Sequence, residues 1–126
     1  MSREIKFRAW DKEEKEYYYD AEYTYDFLCS GRGCYADSFG DLLAHPERCV
    51  VEQYTGLKDK NGKEIYEGDI VDDGFSRICE IGWSEHSASF EAADKNGFLS
   101  NLWLASKYGE VIGNIHENPE LLGGEE

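Results

Sequence analysis

Between positions 17 and 27 every second residue is apolar or aromatic, and no other feature of this chain constrains its fold as strongly. Tyr17, Tyr19, Ala21, Tyr23, Tyr25 and Phe27 alternate with Tyr18, Asp20, Glu22, Thr24 and Asp26. A repeat of two puts successive side chains on opposite faces of an extended backbone. The segment therefore predicts a strand, or two strands joined by a bulge, with one aromatic face. Residues 3–10 alternate too, with Ile5, Phe7 and Ala9 on one side and Glu4, Lys6 and Arg8 on the other, which predicts a half-buried strand. The charged run at 11–16 would join the two as a long hairpin. Trp10 interrupts the polar face of the first strand and is expected to be partly exposed. Together with Tyr17, Tyr19, Tyr23 and Tyr25 it forms the candidate protein-binding face, because Trp and Tyr combine large contact area with a polar handle. The competing reading of this face is core packing.

Beyond position 49 the chain reads as short strands divided by tight turns. Residues 50–54 predict a strand, and Thr55-Gly56, Asn61-Gly62, Glu67-Gly68-Asp69 and Asp73-Gly74 predict turns. Asn61-Gly62 suits the positive φ angles of a type I′ hairpin. Cys79, Ile81 and Trp83 alternate along one strand as expected core, and Ala88, Phe90 and Ala92 along the next. Residues 98–105 fit a strand or a turn of helix, 111–115 a last strand, and Asn118-Pro119 a terminal turn. Strands at this spacing predict a small barrel. Residues 36–44 predict a short helix with Phe39, Leu42 and Leu43 facing inward and Pro46 just beyond it. The chain shows no convincing internal repeat. At 126 residues it has material for a single domain core.

Thirteen basic and 27 acidic residues leave a net charge of −14, spread along the chain. Such a surface repels phosphate backbones and anionic membranes, so direct nucleic-acid binding is disfavoured. It favours a basic protein, or imitates nucleic acid. No run approaches the ~20 apolar residues that span a bilayer, and the first residues lack the apolar core of a secretory signal. A cytoplasmic protein with reduced cysteines is the expectation.

Among chemically suggestive patterns, Cys29-x4-Cys34-x10-His45-x3-Cys49 mixes zinc-ligand types, and a metal there would clip a loosely patterned segment. The first pair is not the tight C-x2-C of a knuckle, and reduced, half-buried cysteines are the preferred reading. His116-Glu117 lacks the second histidine of H-E-x-x-H, and neither a nucleophile elbow nor a phosphate-binding glycine loop is present. Pairs such as Asp72-Asp73 arise readily where acids are this abundant. No catalytic constellation stands out, so a non-enzymatic protein without cofactor is expected.

Three stretches are similar to the YopX family of phage and prophage proteins: REIKFRAWDKE at 3–13, QYTGLKDKNGKEIYEGDIV at 53–71, and EVIGNIHENPELL at 110–122. The central one is the most specific. The resemblance implies a single domain over 1–126: an N-terminal β-hairpin and variable segment at 1–49, an SH3-like barrel at 50–122 on which that extension packs, and an acidic tail at 123–126. It also implies a phage or prophage setting, but no activity. The expected partner is a second copy of the chain or a host or phage protein, with an acidic inhibitor of a nucleic-acid-binding protein as the alternative.

Overall fold

The computed structural model describes residues 4–23 and 39–123. The fold is mainly β, and its backbone forms two compact units, one ending at Gln53 and the other beginning at Tyr54.

In the first unit, β1 (Phe7–Asp11) pairs antiparallel with β2 (Glu16–Tyr19), so that Trp10 lies opposite Tyr17 and Asp11 opposite Glu16. The opposite edge of β1 pairs with residues 49–53 of β3 (Cys49–Lys58). The predicted hairpin is thus present, but its second arm is far shorter than the alternation suggests. Asp20 adopts a left-handed φ of 56°, and a 3-10 turn at Ala21–Tyr23 follows. From there Glu22 reaches back to accept the Phe7 amide at 2.8 Å. Residues 24–27 lie outside the described residues. The helix α1 (Phe39–Ala44) buries Leu42 against Ala9, Ala21 and Cys49, with Phe7, Phe39 and Val51 packed around them. Leu43, expected inside, is exposed.

The first strand is not half-buried. Ile5 is 57 % exposed, whereas Arg8, Trp10 and Asp11 are all buried. Arg8 and Asp11 point to opposite faces of this central strand, and each buried charge meets an opposite one. Arg8 Nε donates to Glu52 Oε1 at 2.8 Å, and Arg48 Nε donates to Asp11 Oδ1 at 3.0 Å. Asp11 also accepts the amides of Glu13 and Glu14, which shapes the hairpin loop. Burial alone would raise the Asp11 carboxyl, but the Arg48 guanidinium and these amides outweigh it and hold it below the ordinary 3.8.

The second unit is built from β4 (Glu64–Tyr66), β5 (Asp69–Asp72), β6 (Ile78–Ser84), β7 (Ser89–Asp94), β8 (Leu99–Ser100), α2 (Leu102–Tyr108) and β9 (Glu110–Asn114). Five strands form a curled antiparallel sheet in the order β8-β7-β6-β5-β9, and residues 54–58 of β3 pair with β4. This curled sheet matches the small barrel that the turn spacing predicts and is consistent with the SH3-like barrel that the family resemblance implies. Ile65, Val71, Cys79, Ile81 and Ala92 form its core, with Leu102 and Val111 alongside. Two details depart from expectation. Thr55-Gly56 is not a turn: β3 runs through it with a register shift, and Gly56 has φ 92°. Trp83 is not core but 50 % exposed, because the alternation that buries Cys79 and Ile81 runs out at the free end of β6, where Trp83 packs edge-on against Phe90.

Candidate protein-binding surface

The N-terminal tyrosines divide between structure and surface. Tyr17 is wedged into the sheet: the Arg8 guanidinium lies 4.1 Å above its ring, Trp10 meets it edge-on at 5.0 Å, and its hydroxyl donates to Glu52 at 2.9 Å. These contacts neutralise and order a buried ion pair. Trp10, at 7 % exposure, belongs to that packing and offers no contact area, contrary to its expected exposure. Tyr19 and Tyr23 do face solvent, and Tyr23 is 76 % exposed. Tyr25 lies outside the described residues.

Cys29 and Cys34 of the cysteine-histidine pattern also lie outside the described residues. Cys49 is a buried core side chain, and burial, reinforced by the Asp11 charge, pushes its thiol up to about 11. At neutral pH it is a neutral thiol rather than a ready thiolate ligand. Among the described residues no group of three or more His, Cys, Asp or Glu is placed to hold a metal.

In the second unit, the acids expected to be abundant bystanders act as loop anchors. Asp59, Asp73 and Asp94 each open a five-residue loop in the same way. The carboxylate accepts the amides of the second and fourth following residues: Asn61 and Lys63, Phe75 and Arg77, Asn96 and Phe98, at 2.7–3.2 Å. The aspartate amide in turn donates to the carbonyl of that fourth residue, which closes the loop. In each loop the third following residue (Gly62, Ser76, Gly97) takes a positive φ. Asn61 does not, so its loop is a five-residue aspartate-anchored turn and not the predicted type I′ hairpin. The sequence carried a signal for this: Asp-Lys-Asn-Gly occurs at both 59–62 and 94–97.

The Asp73 loop carries an exposed aromatic at its tip. Gly74 packs so closely on the end of α2 that a Cβ there would lie 2.7 Å from the Tyr108 carbonyl oxygen. The second Asp73 oxygen accepts the Ser100 hydroxyl at 2.8 Å, which ties the loop to β8. Phe75 thereby stands against Tyr108 with ring centroids 5.8 Å apart. Phe75, Phe98, Leu99, Leu104 and Ala105 line a pocket of about 180 Å³. The Arg77 guanidinium lies 3.7 Å above the Phe98 ring and faces Asp94. Lys107 bridges onward, 5.2 Å from the Trp103 ring and 5.7 Å from that of Tyr108. Phe75, Phe98, Leu99, Trp103 and Tyr108 are each about half exposed: the first three border the pocket, Tyr108 adjoins Phe75, and Lys107 links Tyr108 to Trp103. Sequence reasoning missed this cluster: Phe75 and Phe98 sit beside turn residues with no periodicity to mark them.

The family model described as YopX protein matches residues 6–123. The chain belongs to the YopX family. Among solved structures, this YopX chain is similar to the crystal structure of protein EF1440 from Enterococcus faecalis. The TM-score is 0.63 at 29 % identity, covering 96 % of this chain and 99 % of that one. No curated protein matches it. No helix among the described residues is long and apolar enough to cross a membrane.

Proposed function

We propose that this YopX chain is a non-enzymatic protein-binding module whose docking face is the aromatic surface around Phe75, Phe98, Leu99, Trp103 and Tyr108. The observation that carries the reading is that five large apolar side chains stand half exposed on neighbouring elements: Phe75 on the loop pinned at Asp73 and Gly74, Phe98 at the close of the Asp94 loop, Leu99 on β8, and Trp103 and Tyr108 on α2. Burial of ordered aromatics at a contact forfeits little side-chain freedom, and Trp and Tyr dominate interface energetics for that reason. Tyr19 and Tyr23 offer a second, smaller exposed aromatic pair for self-association. The setting we propose, from the family resemblance, is a phage or prophage protein acting in the host cytoplasm.

The acidic-inhibitor alternative draws on the charge of −14. Among the described residues, five buried acids (Asp11, Glu52, Asp59, Asp69, Asp73) and two buried arginines (Arg8, Arg48) withdraw only part of that charge from the surface.

The test compares the wild type with the Phe75→Ser/Trp103→Ser double variant, both checked for an unchanged thermal midpoint. Immobilised wild type is expected to retain a protein that the variant loses, or to show a concentration-dependent mass by light scattering that the variant lacks. Identical captures and identical monomer masses for the two would sink the reading.

A further inference from the structure

Resting on that docking reading, we infer that the occupant of the Asp73-loop pocket is a partner segment presenting one apolar side chain flanked by lysine or arginine. The pocket's volume sets the first half of this. About 180 Å³ is close to the ~150 Å³ of an apolar cavity that admits benzene, so the site takes one leucine- or phenylalanine-sized group. Five of its lining residues are apolar, and the polar ones are engaged: Asp73 accepts the Ser100 hydroxyl, Arg77 lies over Phe98 beside Asp94, and Asn101 accepts the Leu104 amide. A polar or charged anchor entering here would lose its hydration without a matched partner.

Charge sets the second half. Asp72 and Glu110 lie directly opposite each other in the β5–β9 register, at the strand ends from which the Asp73 loop departs and at which α2 arrives. Like charges so placed disfavour each other, and a cation brought alongside relieves both. Lys60 reaches Glu110 at 3.5 Å, but both side chains are close to half exposed, so this surface pair is weak. The other nearby cations are engaged with rings: Arg77 over Phe98 and beside Asp94, Lys107 beside Trp103 and Tyr108. A second copy of the chain would bring another fourteen negative charges to the contact, whereas a basic segment is drawn to it.

The experiment is an NMR titration of the full 15N-labelled chain with three short capped peptides: leucine flanked by lysines, leucine flanked by glutamates, and the lysine peptide with glycine in place of leucine. The lysine-leucine peptide is expected to shift the amides of Phe75, Leu99 and Leu104. It should bind at least ~10-fold tighter than either control, and that advantage should shrink several-fold as salt rises from ~0.05 to ~0.5 M. The Glu110→Gln variant, which leaves the pocket walls intact, should weaken it about threefold. Equal or tighter binding of the glutamate peptide would overturn the basic partner while leaving the docking face standing. Equal binding of the glycine peptide would overturn the apolar anchor. Shifts that follow protein concentration without peptide would assign the pocket to a second copy. Silence from all three peptides would overturn the inference, while the double-variant capture judges the docking face independently.

Discussion

At the residue scale, Asp11 shows how a charge becomes structural. Its carboxylate is fully buried and bonded by Arg48 and two loop amides. Replacing it by alanine leaves a buried guanidinium without its main partner, and such losses cost about 3–5 kcal/mol. We expect Asp11→Ala to lower unfolding stability by that order in urea denaturation followed by tryptophan fluorescence. The pH dependence has a definite sign. Asp11 titrates below 3.8 when folded, so its stabilisation is present above 3.8 and is lost as pH falls through its lower folded value. Asp11→Asn should flatten the acid limb of the stability profile in that window; an unchanged slope would show that Asp11 is not responsible. None of this was legible locally. Locally, Arg8 reads as part of a solvent face and Asp11 as part of a connecting loop, until Glu52 and Arg48, 44 and 37 residues away in the chain, arrive to pair them.

At the scale of elements, the punctuation of the chain was its most readable part. Turns at Asn61-Gly62, Gly68 and Gly74 stand where the dipeptides place them, and β5, β6, β7 and β9 follow. What the dipeptides concealed was the agent. Reading Asn61-Gly62 as a two-residue hairpin overlooks Asp59, whose carboxylate organises the loop while its second oxygen accepts the Val111 amide of β9 at 2.8 Å. That long-range bond has no trace in local sequence. The loops also differ in comfort: two place glycine at the left-handed position and the third places Ser76, with φ 73°. A side chain there carries a steric cost that glycine avoids. Ser76→Gly should therefore raise stability by roughly 0.5–1 kcal/mol, and Gly62→Ala should lower it by about 1 kcal/mol although open space surrounds Gly62. Paired denaturation curves decide, and a destabilised Ser76→Gly would contradict the strain argument.

At the scale of the whole molecule, charge and exposed apolar surface act together. Composition revealed the first directly, but the second emerges only when β8, α2 and the Asp73 loop converge, whereas the exposed Tyr19 and Tyr23 lie in the segment that local alternation marks. A charge of −14 opposes compaction by self-repulsion. Shortening the screening distance from ~30 Å to ~10 Å, by raising salt from ~0.01 to ~0.1 M, should therefore increase the thermal midpoint by a few degrees. A decrease would mean that surface pairs such as Lys60–Glu110 and Arg77–Asp94 outweigh the repulsion. The shared hydrogen-bond frame of the three aspartate loops has a practical corollary for protein engineering. The side-chain anchors match, so the Asp59 loop is a natural donor sequence for the Asp73 loop, which differs from it in the additional positive φ of Gly74. Only one residue of the recipient is not negotiable: Gly74, beside the Tyr108 carbonyl, has no room for the lysine found at position 60. Phe75→Asn with Ser76→Gly, keeping Gly74, would transplant the blank tip and yield a matched reagent that folds like the parent but presents no aromatic knob.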